Sequence, residues 1–423
     1  MPIRTRRLAF VFALLLSALL PACSTLPSTT AQASRNAADY QVLLVSIDGL
    51  RADAIGSGTM PTLDAMAKAG VHAAWMNPSY PTLTFPNHYS IVTGLRPDHH
   101  GIVNNTMRDP ELGRFSLGNR AAVEDARWWG GKPVWVSLQE HGGYSATMFW
   151  PGSEAPIAGQ HPTDWRRFDG AVTPEARVDQ VLEWLDRDGP KRPRFVTLYF
   201  DDVDHQEHLF GPGSPQSFQA QATVDEALTR LLSGLQSRGM RDRVDVIVVS
   251  DHGMAAMPPG QNEFLDDYLA AAGLPLSAID VISRGTSVGV EPAQGANAPA
   301  VEAAMVGRHP HAECWRKQDV PARWHYGSNP RVPAIVCQTD IGWVLTVRSA
   351  ARVGEHTTGA HGFAPEAPEM RAVFVADGPR FAEHALLPGF DNVDVYPLLM
   401  RLLGVPAEVN DGNPHTFDAV LTP

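Results

Sequence analysis

Three acidic clusters and one threonine hold most of the reactive side chains that this sequence gathers by type and spacing. QVLLVSIDG ends in Asp48, RFVTLYFDDVDHQEH carries Asp201, Asp202, Asp204 and His208, and VDVIVVSDHGM carries Asp251 and His252. Each cluster follows a run of β-forming apolar residues and so sits where a strand ends. In open α/β sheets the ligand crevice lies at the carboxyl ends of the strands. Carboxylates gathered there repel one another unless a cation neutralises them. Asp204 and His208 are four residues apart, on one face of a helical turn. Adjacent Asp251 and His252 reach a site from a strand-end turn, and GAHGF adds His361. Such oxygen and nitrogen donors suit zinc with a position left open for substrate. His99 and His100, in RPDHHG, read as ordinary surface or structural residues.

The threonine is Thr84, in PTLTFPNHYSIVTG. The sequence predicts a helix starting at Pro86, with Thr84 just ahead of it, where outward-pointing N–H groups attract negative charge. Thr84 is then either a cap or a nucleophile facing a phosphate. A threonine hydroxyl is a poor nucleophile at neutral pH, so the second role needs a metal beside it.

The elements that must position these residues alternate along the chain. Strands are predicted at QVLLVSI, YSATMFW, RFVTLYF, VDVIVVS and RAVFVAD. Helices are predicted at MPTLDAMAKAG, KPVWVSLQEHG, ARVDQVLEWLDRD, SFQAQATVDEALTRLLSGLQSRG and VDVYPLLMRLLG. This order implies an α/β fold with a mostly parallel sheet covered by helices on both faces. The less regular stretch of about 258–352 reads as an inserted subdomain, giving a catalytic domain over 39–423.

Composition bounds the partners. The 423 residues are 44% hydrophobic and 19% charged, with a net charge of −12. No basic block or stripe is present, so duplex nucleic acid is an unfavourable partner. Arg4, Arg6 and Arg7 followed by LAFVFALLLSALL form an export leader over residues 1–22, its apolar run too short for a transmembrane helix. Leu20, Ala22 and Cys23 fit a lipobox, although Pro21 is unusual there. Lipidation of Cys23 and membrane attachment through it is one expectation, plain cleavage the other. Residues 23–38 read as a polar tether. The expected location is the bacterial periplasm, free or as a membrane-anchored lipoprotein. Cys314 and Cys337 are the cysteines left in the folded part, and export favours a disulfide between them over two separate buried thiols.

The motifs DGLR, TFPNHY, VTGL, HGIVNN, SDHGM and HGF followed by PEMRAVFVADGP occur in this order over nearly the whole chain after the tether. In this the sequence resembles the nucleotide pyrophosphatase/phosphodiesterase family of the alkaline phosphatase superfamily. The resemblance implies a three-layer α/β/α sandwich and two Zn²⁺ per chain. It makes Thr84 the nucleophile of a covalent threonine–nucleotide intermediate. Asp48, Thr84, Asp251 and His252 match the ligands of one zinc, and Asp204, His208 and His361 those of the other. Asn105 matches the side chain that holds a phosphate oxygen, and Phe168 matches an aromatic at the base site; Phe85 directly follows the nucleophile, so that a base could stack between the two, with core packing as their alternative. GFAPEAPEM departs from the tyrosine-containing version more usual after the histidine. The implied reaction is hydrolysis of nucleotide phosphodiester and pyrophosphate bonds to nucleoside 5′-monophosphates. Phospholipid or choline phosphodiesters, and phosphomonoesters, are the alternative substrates. A sulfatase is disfavoured because no CxPxR-type motif occurs, and a zinc- or nucleotide-binding module has no need of such a threonine.

Overall fold

In the computed structural model, which describes residues 1–2, 40–350 and 357–422, the predicted apolar runs become the middle of one eight-stranded sheet. In chain order its strands are β1 (Gln41–Ile47), β2 (Val71–Ala73), β3 (Ser145–Met148), β4 (Asp164–Arg166), β5 (Phe195–Phe200) and β6 (Val244–Val249). Five strands of a separate sheet follow: β7 (Ile279–Ser283), β8 (Ser287–Pro292), β9 (Gly307–Arg308), β10 (Ala312–Arg316) and β11 (Ile335–Thr339). The chain then returns to the large sheet with β12 (Phe374–Asp377) and β13 (Ala385–Leu387), in the spatial order β13-β2-β12-β6-β1-β5-β3-β4. β1 lies parallel to both β5 and β6. Only β12 runs antiparallel to its neighbours, β6 and β2.

All seven residues of β1 and all six of β5 and β6 are buried. Strands covered on both faces read as continuous apolar runs, which is why these three are plain in the sequence. Alternate β1 side chains enter two different cores. Val42 and Leu44 face α2 (Thr84–Thr93) and the helices Val134–Glu140 and Val395–Leu403. Leu43, Val45 and Ile47 face α1 (Pro61–Ala69) and the helices Pro174–Leu185 and Pro215–Ser237. The result is a three-layer α/β/α sandwich.

The smaller sheet, β7-β8-β11-β10-β9, is antiparallel and has its own core with helices Leu265–Ala271 and Ala298–Met305. Cys314 and Cys337 face each other across β10 and β11 and form a disulfide, with 4.0 Å between their Cα atoms. The Asn262–Phe264 strand pairs with Val344–Thr346, bringing the two ends of this segment together. Among the described residues, no helix is long and apolar enough to cross a membrane. The leader from residue 3 onward, the tether and Cys23 lie outside the described residues.

Candidate active site

The ends of β1, β5 and β6 deliver the acidic residues to one place. Asp48 follows β1, Asp204 lies in the helix Asp202–Phe210 that follows β5, and Asp251 and His252 follow β6. Asp48, Asp251 and His252, all buried, offer ligand atoms within 4.8 Å of one another; Asp204, His208 and His361 do the same. The two groups adjoin, since the His252 and His361 rings stack at 3.6 Å. Gly49 makes the approach of β1 close: it has φ +74°, donates its N–H to Asp251 Oδ1 at 3.2 Å, and a Cβ there would lie 3.1 Å from Asp204 Cα.

Thr84 sits at the mouth of the first group, with Oγ1 3.4 Å from His252 Nε2. Its place in the helix differs from the expectation. α2 starts at Thr84 with Leu83 as its cap, not at Pro86. Pro86 sits in the first turn, where backbone N–H groups lack intrahelical partners and a proline costs no hydrogen bond. One of those N–H groups, that of Phe85, donates to Asn105 Oδ1 at 3.0 Å. This ties the oxygen of the Asn105 amide to the start of α2 and leaves the NH₂ as its other end.

The donor atoms are prepared for a cation. His208 Nδ1 meets the Gly359 carbonyl at 2.8 Å, His252 Nδ1 that of Gly253 at 2.9 Å, and His361 Nδ1 that of Thr82 at 2.9 Å. A carbonyl only accepts, so each Nδ1 carries the proton and each Nε2 presents its lone pair to the site. Nε2 of His252 is 2.9 Å from Asp251 Oδ2, and those of His208 and His361 are 3.4 and 3.6 Å from Asp204 Oδ1. Asp48 Oδ1, Asp204 Oδ1 and Asp251 Oδ2 are buried without a hydrogen-bond partner. Three orphaned carboxylate oxygens beside three Nε2 lone pairs fit divalent metal and little else.

Electrostatics without a cation are strained in the way this predicts. Burial, then the charges of Asp251 and Asp204, raise Asp48 well above the usual carboxylate range. Burial also raises Asp204. Burial pushes Asp251 up as well, but beside His252 and His88 in their protonated forms, a state that a metal on His252 Nε2 would displace, the carboxyl is held well below its usual range. Burial, with His252 and His208 as neighbours, keeps His361 neutral.

A cleft of about 260 Å³ opens over these groups, lined by Asp48, Thr84, Phe85, Phe168, Tyr199 and Asp204 among others. Phe85 is packed against Phe115 and Trp129, at 6.1 and 5.9 Å between ring centroids. Phe168 is 40% exposed and meets Phe149 and Tyr199 edge-on. Sequence reasoning missed three contributors. Tyr199 donates its hydroxyl to Asp48 Oδ2 at 2.6 Å, yet within RFVTLYF it reads only as a strand aromatic. His88 lies behind Thr84 in the same motif. Arg120 lines the cleft paired with the buried Glu154, in a stretch that carries no motif. Arg51 and Arg96 pair with Asp53 and Asp391. His100 is buried in the fold, its Nε2 bonded to Ser90 Oγ and the Pro86 carbonyl at 3.0 and 3.2 Å.

A doubly covered α/β sheet with paired metal-ligand groups and a threonine at a helix N-terminus defines a class of metal-dependent phosphate-ester hydrolase folds. The sequence profile of the type I phosphodiesterase / nucleotide pyrophosphatase family matches residues 42–364, and the chain belongs to that family. It is 34% identical to a venom phosphodiesterase of Naja atra over 90% of this chain and 46% of the venom protein. It is 34% identical to an uncharacterized pyrophosphatase/phosphodiesterase of Schizosaccharomyces pombe over 90% of this chain and 79% of the yeast protein. The chain thus spans about half the length of the venom relative. The fold superposes with a TM-score of 0.84 on murine ectonucleotide pyrophosphatase/phosphodiesterase 5, solved as an inactive threonine-to-alanine form in complex with AMP, at 31% identity over 90% of this chain and all of that one.

Proposed function

We propose that this chain is a two-zinc phosphodiesterase and nucleotide pyrophosphatase, releasing nucleoside 5′-monophosphates through a covalent intermediate on Thr84. The observation that carries the reading is the position of Thr84 Oγ1, 3.4 Å from His252 Nε2 on the floor of a cleft that also reaches Asp48 and Asp204. Asp48, Thr84, Asp251 and His252 would hold one zinc, and Asp204, His208 and His361 the other. Bound zinc supplies the charge that lowers the pKa of a coordinated hydroxyl and stabilises the attacking and leaving oxygens of an in-line displacement.

The chain's own residues do the rest. Thr84 Oγ forms a bond to phosphorus as the bond to the leaving oxygen breaks, and water later cleaves the threonine–phosphorus bond from the vacated side. The N-terminus of α2 turns free N–H groups toward the phosphoryl oxygens. The Asn105 amide, held by the Phe85 N–H, donates to one of them. A base would rest between Phe85 and Phe168, the one fixed by packing and the other accessible from the cleft. Among the described residues that line the cleft Arg120 is the one arginine or lysine, and Glu154 neutralises it. This favours a diester monoanion over a monoester dianion. The relative inactivated by a threonine-to-alanine change and holding AMP supports both the nucleophile and the product class. The same reading divides the chain into leader 1–22, tether 23–38 and catalytic domain 39–423 with its insert at about 258–352, and places it outside the cytoplasm.

Hydrolysis of p-nitrophenyl thymidine 5′-monophosphate, p-nitrophenyl phosphate and p-nitrophenyl phosphocholine, with zinc measured on the same sample, tests the reading. The expected result is preference for the nucleotide diester, about two zinc per chain and loss of turnover on chelation. Preference for the monoester or the choline ester overturns the substrate assignment, and full activity with one metal overturns the paired site.

A further inference from the structure

His88 belongs to neither group of candidate ligands, yet it touches the parts that must hold still. It lies one turn after Thr84 in α2 and is fully buried. Its Nδ1 is 2.9 Å from the Thr84 carbonyl oxygen and 3.3 Å from Asp251 Oδ2. Its Nε2 is 2.8 Å from Ser46 Oγ. A carbonyl accepts only, so Nδ1 carries the proton and Nε2 accepts from the Ser46 hydroxyl. The ring cannot turn freely: Trp150 and Tyr199 meet it edge-on at 5.1 and 5.2 Å, and the Trp150 indole N–H donates to the His88 carbonyl at 3.1 Å.

Three elements therefore meet at one imidazole. Ser46 belongs to β1, two residues before Asp48; Thr84 opens α2; Asp251 follows β6. We infer that His88 is a positioning residue, which fixes the first turn of α2, and with it Thr84 Oγ1, against the Asp48–Asp251–His252 group. The inference rests on the phosphodiesterase reading and deepens it. A nucleophile displaced by a fraction of an ångström loses much of its rate advantage. His88 acts through Thr84 and Asp251 and touches no substrate.

Two substitutions separate its two nitrogens. The amide of His88→Asn stands near Nδ1 and can still donate to the Thr84 carbonyl; that of His88→Gln reaches toward Nε2 and Ser46. Each zinc-loaded protein is assayed for kcat and KM on p-nitrophenyl thymidine 5′-monophosphate, for zinc release to a chromophoric chelator, and for melting temperature. His88→Gln is expected to lower kcat and speed zinc release by about 10- to 100-fold, with KM within about twofold of wild type. His88→Asn is expected to restore most of both. Wild-type rates in both variants overturn the inference. Equal losses in both, tracking a fall in melting temperature, also overturn it and make His88 a packing residue. A wild type that cleaves no diester overturns the functional reading instead, and zinc release from the two variants still decides the role of His88.

Discussion

Replacing Tyr199 with phenylalanine removes one oxygen and leaves the ring where it is. That oxygen donates to Asp48 Oδ2 at 2.6 Å, in a site where both groups are buried. Hydrogen bonds to a buried charge contribute about 1.5–3 kcal/mol. The bond stabilises the ionised form of Asp48, the form that would bind metal in the proposed site, against burial and the charges of Asp251 and Asp204, which oppose ionisation. At 1.36 kcal/mol per tenfold, losing it should weaken zinc at the Asp48 group by roughly 10- to 150-fold. The ring contacts to His88 and Phe168 persist, so packing changes little. Competition with a chelator of known affinity at pH 7.5 measures the loss. Because a proton competes with the metal for Asp48, the gap between variant and wild type should widen at pH 6. A zinc affinity within twofold of wild type at both pH values would refute the argument, showing that the phenol serves as packing or faces substrate.

Thr84→Ala is expected to fold and bind zinc through the remaining ligands but to lose turnover by orders of magnitude, with Thr84→Ser partly active; full activity in the alanine variant, measured by release of p-nitrophenol, excludes the covalent route. Phe168→Ala should raise KM for nucleotides and spare bis-methyl-type diesters without a base; equal loss on both makes Phe168 a structural residue. Cys314→Ala with Cys337→Ala opens a cross-link of sequence separation 23, and urea denaturation should report a loss of about 3 kcal/mol in the chain-entropy model; no change in midpoint counts against a stabilising role. Burial pushes the His100 imidazole down to about 3, and its Nδ1 must stay bare to accept the Ile102 N–H. Between that value and 6.5 the unfolded chain binds a proton that the folded chain refuses, so its contribution is complete above pH 6.5 and shrinks as pH falls, by about 2 kcal/mol at pH 5. His100→Asn should flatten the slope of stability against pH, and identical slopes would contradict this.

Buried central strands made most of the fold legible. QVLLVSI, RFVTLYF and VDVIVVS announce themselves because both their faces are covered, whereas the edge strands β4 and β13, and β2 beside β13, are three residues long, too short for any period to show. The antiparallel insertion of β12 between β6 and β2 is a matter of tertiary pairing that no local pattern encodes. The candidate site was legible where chemistry concentrates in short motifs: carboxylates at strand ends, histidines at helical spacing and a threonine before a helical run. The helix starts at Thr84, two residues before Pro86, because proline favours N1 but also fits elsewhere in the first turn, where the N–H it lacks has no intrahelical partner. Tyr199, His88 and Arg120 escaped because their partners lie 151, 42 and 34 residues away along the chain, the last taken as Glu154 less Arg120.

The three imidazoles of the site lean on main-chain oxygens, those of Thr82, Gly253 and Gly359. A side-chain prop vanishes with one codon change, whereas a carbonyl survives every replacement that leaves the backbone path intact. The aim of the ligand atoms is therefore inherited with the trace of the chain and is largely indifferent to which residues drift around it. Its weak points are spatial. A Cβ at Gly253 would come within 2.2 Å of the Glu369 carbonyl, and one at Gly359 within 2.3 Å of that of Glu207. A lineage can rewrite much of this cleft and keep the aim of these three imidazoles, so long as those two positions stay bare.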